Sequence, residues 1–150
     1  MQIGDVVPNF TLPDQTGTER SLESLLADGP VVLFFYPAAM TKGCTAESCH
    51  FRDLKAEFEA AGAQRVGISM DTVEKQAAFS STHDFDYPLL ADTDGTVASL
   101  FGVKRKISAL RTKRSTFVIG QDRTILGIIN SELSMNSHAD KALEVLSTTA

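Results

Sequence analysis

Tryptophan is absent from this chain of 150 residues, and cysteine occurs only twice, as Cys44 and Cys49. Two cysteines are too few for a small disulfide-stapled scaffold. Long hydrophobic runs are missing as well. The longest, Val31 to Tyr36, has six residues, whereas a membrane-spanning helix needs about 20. No Lys or Arg precedes Arg20, so the basic opening of a secretory leader is lacking and a cytoplasmic protein is expected. Positive charge is in short supply: 14 Lys and Arg stand against 19 Asp and Glu, a net charge of −5. A non-specific nucleic-acid binder needs the opposite balance. No internal repeat, low-complexity tract or linker interrupts the chain. What is present is ordinary for a globular protein, with 43% hydrophobic and 22% charged residues and nine Phe to fill a core. The length predicts a single domain over residues 1–150.

Short apolar strands alternate with helical patterns. In "FTLPDQTGTERSL" a Gly-containing turn, Asp14 to Gly17, separates two extended pieces and predicts a β-hairpin, with a short helix near Ser21. "PVVLFFYP" is apolar on both faces, as in a central, doubly covered strand. Phe51, Leu54, Phe58 and Ala61 share one helical face, so residues 44–61 are expected to form one helix stopped by Gly62. "RVGISM" predicts a strand, and Asp71 with Glu74 three residues on looks like a capping box opening a helix to about residue 82. Then follow a strand in "YPLLAD", a short helix from Val97 to Phe101, and a hairpin of "STFVIG" and "TILGIIN". A last helix runs from Asn136 or Ser137 to about Leu146. This order predicts an α/β protein with a mixed central sheet, helices on both faces and an N-terminal hairpin. A thioredoxin-like sandwich satisfies it.

The informative segment is "YPAAMTKGCTAESCHFRDL". A strand ends at Tyr36–Pro37, a loop of small residues follows, and Cys44 falls in the first turn of the next helix. Unpaired backbone N–H groups there carry roughly half a positive charge. Such a field favours thiolate, and cysteines at such sites drop from about 8.5 to between roughly 3.5 and 7.5. A thiol peroxidase also needs donors for the departing peroxide oxygen. Thr41 is placed to turn its hydroxyl toward the sulfur, beside the N–H groups of Gly43 and Cys44. Arg114, entering "STFVIG", is the best candidate for a fixed cation. The other five basic residues between 104 and 114 are expected to form a solvated run.

Pro37, Thr41 and Cys44 spell P-x-x-x-T-x-x-C, which resembles the active-site signature of peroxiredoxins. The second cysteine of "GCTAESC" is similar to the peroxiredoxin Q, or bacterioferritin comigratory protein, subgroup. "GDVVPNFTLPDQTG" and "RSTFVI" resemble two further family segments, so the likeness spans nearly the whole chain. It implies a peroxidase in which Cys44 attacks a hydroperoxide, Thr41 and Arg114 activate it, Pro37 shields it, and Glu47 holds the arginine. It further implies that Cys49 resolves the resulting sulfenic acid as a disulfide, which a thioredoxin-like dithiol reduces. No cofactor or metal is implied, and the protein is expected to be a monomer or at most a weak dimer. Two positions depart from the pattern: Lys42 stands where Pro is usual, and Gly120 where Asp is common.

Inside an intact helix, five residues separate two Cα atoms by roughly 8.6 Å, beyond the ~7 Å limit for a disulfide. A Cys44–Cys49 bond therefore requires this helix to unwind at its start. Two other readings stay open at this level. A thiol–disulfide oxidoreductase would normally carry C-x-x-C, which is absent. A non-enzymatic redox sensor would use the same thiol. His50 beside Cys49 raises a zinc site, but C-x4-C-H fits no standard ligand spacing.

Overall fold

The computed structural model describes residues 1–107 and 110–149. A two-stranded antiparallel hairpin, β1 (Thr11–Pro13) and β2 (Glu19–Ser21), comes first. Asp14 closes its turn, its Oδ1 accepting from the Thr16 and Thr18 N–H groups at 2.8 and 3.2 Å. Helix α1 (Leu22–Leu26) follows, capped by the Ser21 hydroxyl. The five-stranded sheet has the order β5 (Leu89–Ala91), β4 (Gln64–Ser69), β3 (Val31–Phe35), β6 (Ser115–Ile119), β7 (Ile125–Asn130). Strands β3, β4 and β5 are mutually parallel, whereas β6 and β7 run antiparallel to their neighbours. The expected mixed sheet, N-terminal hairpin and late hairpin are all present, in a thioredoxin-like arrangement. No helix among the described residues is long and apolar enough to cross a membrane.

Central strand β3 is buried throughout, and its alternation sorts two cores. Val31, Leu33 and Phe35 join one cluster with Leu22, Ile68, Phe101 and Phe117. Val32, Phe34 and Tyr36 join the other, with Cys44, Phe51, Phe58, Phe79 and Ile129. This second face carries α2 (Lys42–Asp53), α3 (Lys55–Ala60), α4 (Val73–His83) and α6 (Ser137–Thr149); α5 (Thr96–Leu100) packs on the first. Gly67 in β4 makes room here, since a Cβ would lie 2.8 Å from Leu89 and 3.1 Å from the Phe34 ring.

Two local expectations are corrected. The helix drawn over residues 44–61 is two helices, and the first starts at Lys42. Leu54 leaves helical geometry at φ −93°, ψ 22°. The carbonyl of Phe51 that the break frees accepts from the Arg65 guanidinium at 2.9 Å. The Asp71–Glu74 capping box does not form either. Thr72 caps α4 through the Lys75 N–H, because the Asp71 carboxylate is buried and committed elsewhere.

Candidate active site

Pro37 has no N–H to extend the ladder beyond Tyr36, so the chain leaves the sheet there and crosses its end. Asp71, 1% exposed, fastens this crossing: its Oδ2 accepts from the Ala39 N–H at 2.7 Å and from the Ser69 hydroxyl at 2.7 Å. Met40 turns the chain at a positive φ of 69°, and Thr41 takes the N-cap position of α2 in extended geometry. Cys44 is thus the third helical residue, and its sulfur lies within the core, the residue being 1% exposed. The helix N-terminus brings its positive end to that sulfur.

Arg114 enters from the head of β6. Its Nη2 donates to Cys44 Sγ at 3.3 Å and its Nη1 to Glu47 Oε1 at 2.7 Å. Glu47 is one helical turn beyond Cys44, so one guanidinium spans both residues on one face of α2. Burial works against the arginine's charge, but Glu47 and Cys44 hold its pKa above the ordinary value. Burial pushes the Glu47 carboxyl up to about 8 despite the pull of Arg114. Gly43 gives Arg114 its path, since a Cβ there would lie 3.2 Å from Nη2.

Among the described residues, three buried side-chain polar atoms have no hydrogen-bond partner: Glu47 Oε2, Ser48 Oγ and Arg114 Nε. Glu47 Oε2 and Arg114 Nε belong to this cluster, and Ser48 follows Glu47 in the chain. Buried polar groups are normally satisfied, so two orphaned atoms on the ion pair that touches Cys44 mark a candidate functional site.

Cys44, Glu47 and Arg114 therefore meet. Pro37 is half-buried at the strand end. Cys49 lies half-buried further along α2, its thiol pushed up in pKa by burial. Thr41 differs from expectation: its hydroxyl donates to the Ala38 carbonyl, three residues back in the same loop, at 2.7 Å instead of turning to the sulfur. The basic run is not all solvated. Arg111 reaches Asp71 Oδ1 and the Met70 carbonyl, each at 2.9 Å, and Arg105 pairs with Glu132 at 2.8 Å. His50 pairs with Asp140 at 2.8 Å. The sequence reading missed three contributors. Asp71 was hidden by its resemblance to a helix cap, Arg111 by its charged surroundings, and His138 offered no local signal. His138 is fully buried behind Glu47.

Residues 3–128 match the AhpC/TSA family. A putative peroxiredoxin of Mycobacterium tuberculosis is 62% identical over 148 residues, covering 97% of this chain and 96% of that protein. A chloroplastic peroxiredoxin Q of Gentiana triflora is 36% identical over 143 residues, covering 95% of this chain and 65% of the other. The crystal structure of peroxidoxin BcpB from M. tuberculosis superposes with a TM-score of 0.97 at 60% identity, over 100% of this chain and 99% of that one. Fold and relatives thus agree: the chain belongs to the AhpC/TSA family, as a peroxidase of its peroxiredoxin Q and bacterioferritin comigratory protein branch.

Proposed function

We propose that Cys44 is the peroxidatic cysteine of a two-cysteine cycle. The Cys44 thiolate attacks the terminal oxygen of a hydroperoxide. An S–O bond forms, the O–O bond breaks, and the hydroperoxide proton leaves with the departing oxygen as water or alcohol. Protonation of the sulfenate then gives the sulfenic acid. The observation that carries this reading is the Arg114 guanidinium, 3.3 Å from the sulfur at the positive end of α2. It favours the thiolate before attack, and charge developing on the departing oxygen would form in the same field. Glu47 orients Arg114, Pro37 limits water at the strand end, and Thr41 sets the first turn through the Ala38 carbonyl.

Cys49 then gives up its thiol proton and attacks the Cys44 sulfenic sulfur; the S–S bond forms, the S–O bond breaks, and the hydroxyl leaves with that proton as water. A thioredoxin-like dithiol is the reductant that fits an exposed disulfide near one helix end, and the cycle needs no cofactor. With both cysteines on one helix the chain can turn over as a monomer in the cytoplasm. A thiol–disulfide oxidoreductase fits less well. Its two cysteines would share one exposed turn, whereas here Cys44 is buried and Cys49 lies more than a turn away.

Stopped-flow mixing with hydrogen peroxide tests the reading, followed by intact mass and a peptide map. Rapid consumption, abolished in Cys44→Ser, with a Cys44–Cys49 disulfide after one equivalent, is expected. Insulin reduction without peroxide consumption would reassign the protein to disulfide exchange.

A further inference from the structure

Behind Arg114 lies a histidine that the peroxidase cycle does not use. His138, in the first turn of α6, is fully buried, as is Glu47. Its Nε2 lies 2.8 Å from the Ser131 carbonyl. A carbonyl only accepts, so Nε2 carries a proton. Its Nδ1 is 2.7 Å from the Thr116 hydroxyl and 3.5 Å from Glu47 Oε2. That oxygen has no hydrogen-bond partner, while Oε1 of the same carboxyl takes Arg114.

Counting charge in this pocket leads further. Arg114 brings one positive charge and faces two groups able to be anions, the Cys44 sulfur and the Glu47 carboxyl. One guanidinium neutralises only one of them, and an unpaired buried anion is costly. The positive end of α2 supplies only about half of a second charge, so a thiolate at Cys44 leaves Glu47 to hold a proton. The nearest polar neighbour for that proton is His138 Nδ1, 3.5 Å from Oε2, whose one lone pair it would share with the Thr116 hydroxyl at 2.7 Å; burial first, then the cations Arg114 and Lys141, push this ring toward its neutral form, against the pull of the Ser131 carbonyl and Glu132. The other groups facing the pair are the hydroxyl of Thr116 and the carboxylate of Glu132. Glu132 adds negative charge and works in the same direction.

We propose that Glu47, backed by neutral His138, is a protonated acid whenever Cys44 is a thiolate, and that the two sites titrate against each other through Arg114. The elevated pKa of the Glu47 carboxyl agrees with this, but the argument stands on the orphaned Oε2 and the single cation. The coupling is reciprocal. When the sulfur becomes neutral, Glu47 gives up its proton more readily. When Glu47 ionises, it draws Arg114 from the thiolate and reactivity falls. His138 acts here as a positioning residue.

This inference rests on the proposed role of Cys44, and its test reads a different atom. Infrared difference spectra, assigned with Glu47→Gln, follow the protonated carboxyl with pH. The expected result is a protonated Glu47 at neutral pH in the reduced protein. Its midpoint should lie lower by about one pH unit or more, a tenfold coupling, in Cys44→Ser and after alkylation of the sulfur. Alkylation makes the sulfur neutral without peroxide, so a failure of peroxidase chemistry leaves this readout intact. In the peroxide rate profile the alkaline decline of the wild type should vanish in Glu47→Gln. His138→Leu should lower the Glu47 midpoint, because an acceptor is lost. An ionised Glu47 at neutral pH, or a midpoint indifferent to the sulfur, overturns the proposal. So does a midpoint that rises in His138→Leu, which would mean an imidazolium had been stabilising the carboxylate.

Discussion

A buried arginine holds each end of helix α2, and the two are held in opposite ways. Arg65 and Arg114 are both 7% exposed. Arg65, near the C-terminal end, meets oxygen acceptors with both terminal nitrogens. It pairs through two nitrogens with Asp86, at 3.0 and 2.6 Å, donates to the Phe51 carbonyl at 2.9 Å, and lies over the Tyr87 ring at 5.1 Å. Asp86 stays below its usual carboxylate range: partial burial opposes this, and Arg65 more than offsets it. Arg114, near the N-terminal end, spends one nitrogen on a carboxylate that is itself half-satisfied and another on a sulfur, and its Nε has no partner among the described residues. The same residue type at the same burial serves stability where both terminal nitrogens meet oxygens and chemistry where one is left to a sulfur.

The largest expected effect separates these roles. Arg114→Met should slow oxidation of Cys44 by about 10²–10³-fold, the usual loss for one donor at a developing anion. The fold should survive, because a protonated Glu47 needs no counter-cation. Stopped-flow oxidation with a denaturant melt on the same sample checks both halves. Next in size is the mirror case. Arg65→Met should cost about 2–3 kcal/mol, less than the ~3–5 for a fully buried pair, because Asp86 is 31% exposed. Folded Arg65→Met should still react with peroxide at the wild-type rate. An Arg65 variant that folds but has lost reactivity would erase the contrast.

The same asymmetry governs unwinding. Around the middle of α2 the Ser48 carbonyl accepts from the Tyr87 hydroxyl at 2.7 Å, and beyond it Phe51 is tied to Arg65. At its start Thr41 offers no side-chain cap. Disulfide formation should therefore loosen residues 42–48 and leave 51–60 protected, a pattern that hydrogen exchange on reduced and oxidised protein resolves. Tyr87→Phe removes one pin worth about 1 kcal/mol, so the resolving step should speed up by no more than about fivefold. Unchanged exchange over residues 41–55 after oxidation would refute a rearranging helix.

How much of this was legible beforehand follows from the range of the forces involved. The hairpins, the doubly buried strand β3 and the motif holding Cys44 rest on neighbours in sequence, and periodicity or turn chemistry reveals them. The break at Leu54 does not, because it is stabilised by Arg65, a residue of another strand. Thr41 and Asp71 were misjudged for one reason: a short polar side chain has several local acceptors or donors, and tertiary position selects among them. His138 meets Glu47 only because α6 folds back over β6 and β7, and nothing near it in sequence announces that.

The last comparison concerns pH and is read as a slope. The folded pKa of Glu47 is raised from its ordinary 4.5 to about 8, so the folded chain binds more protons than the unfolded chain between those values. Stability contributed by this group is then fully present below about 4.5 and declines as pH rises toward 8. Asp86, with its lowered pKa, works the other way: its contribution is present above the ordinary carboxylate range and fades on acidification. Glu47→Gln cannot titrate, so its denaturation midpoint should fall less than that of the wild type over the neutral and mildly alkaline range. Asp86→Asn should leave that slope unchanged and flatten the acid limb instead. Finding the two variants interchangeable in either limb would mean that the ends of α2 do not differ electrostatically in the way their hydrogen bonds indicate.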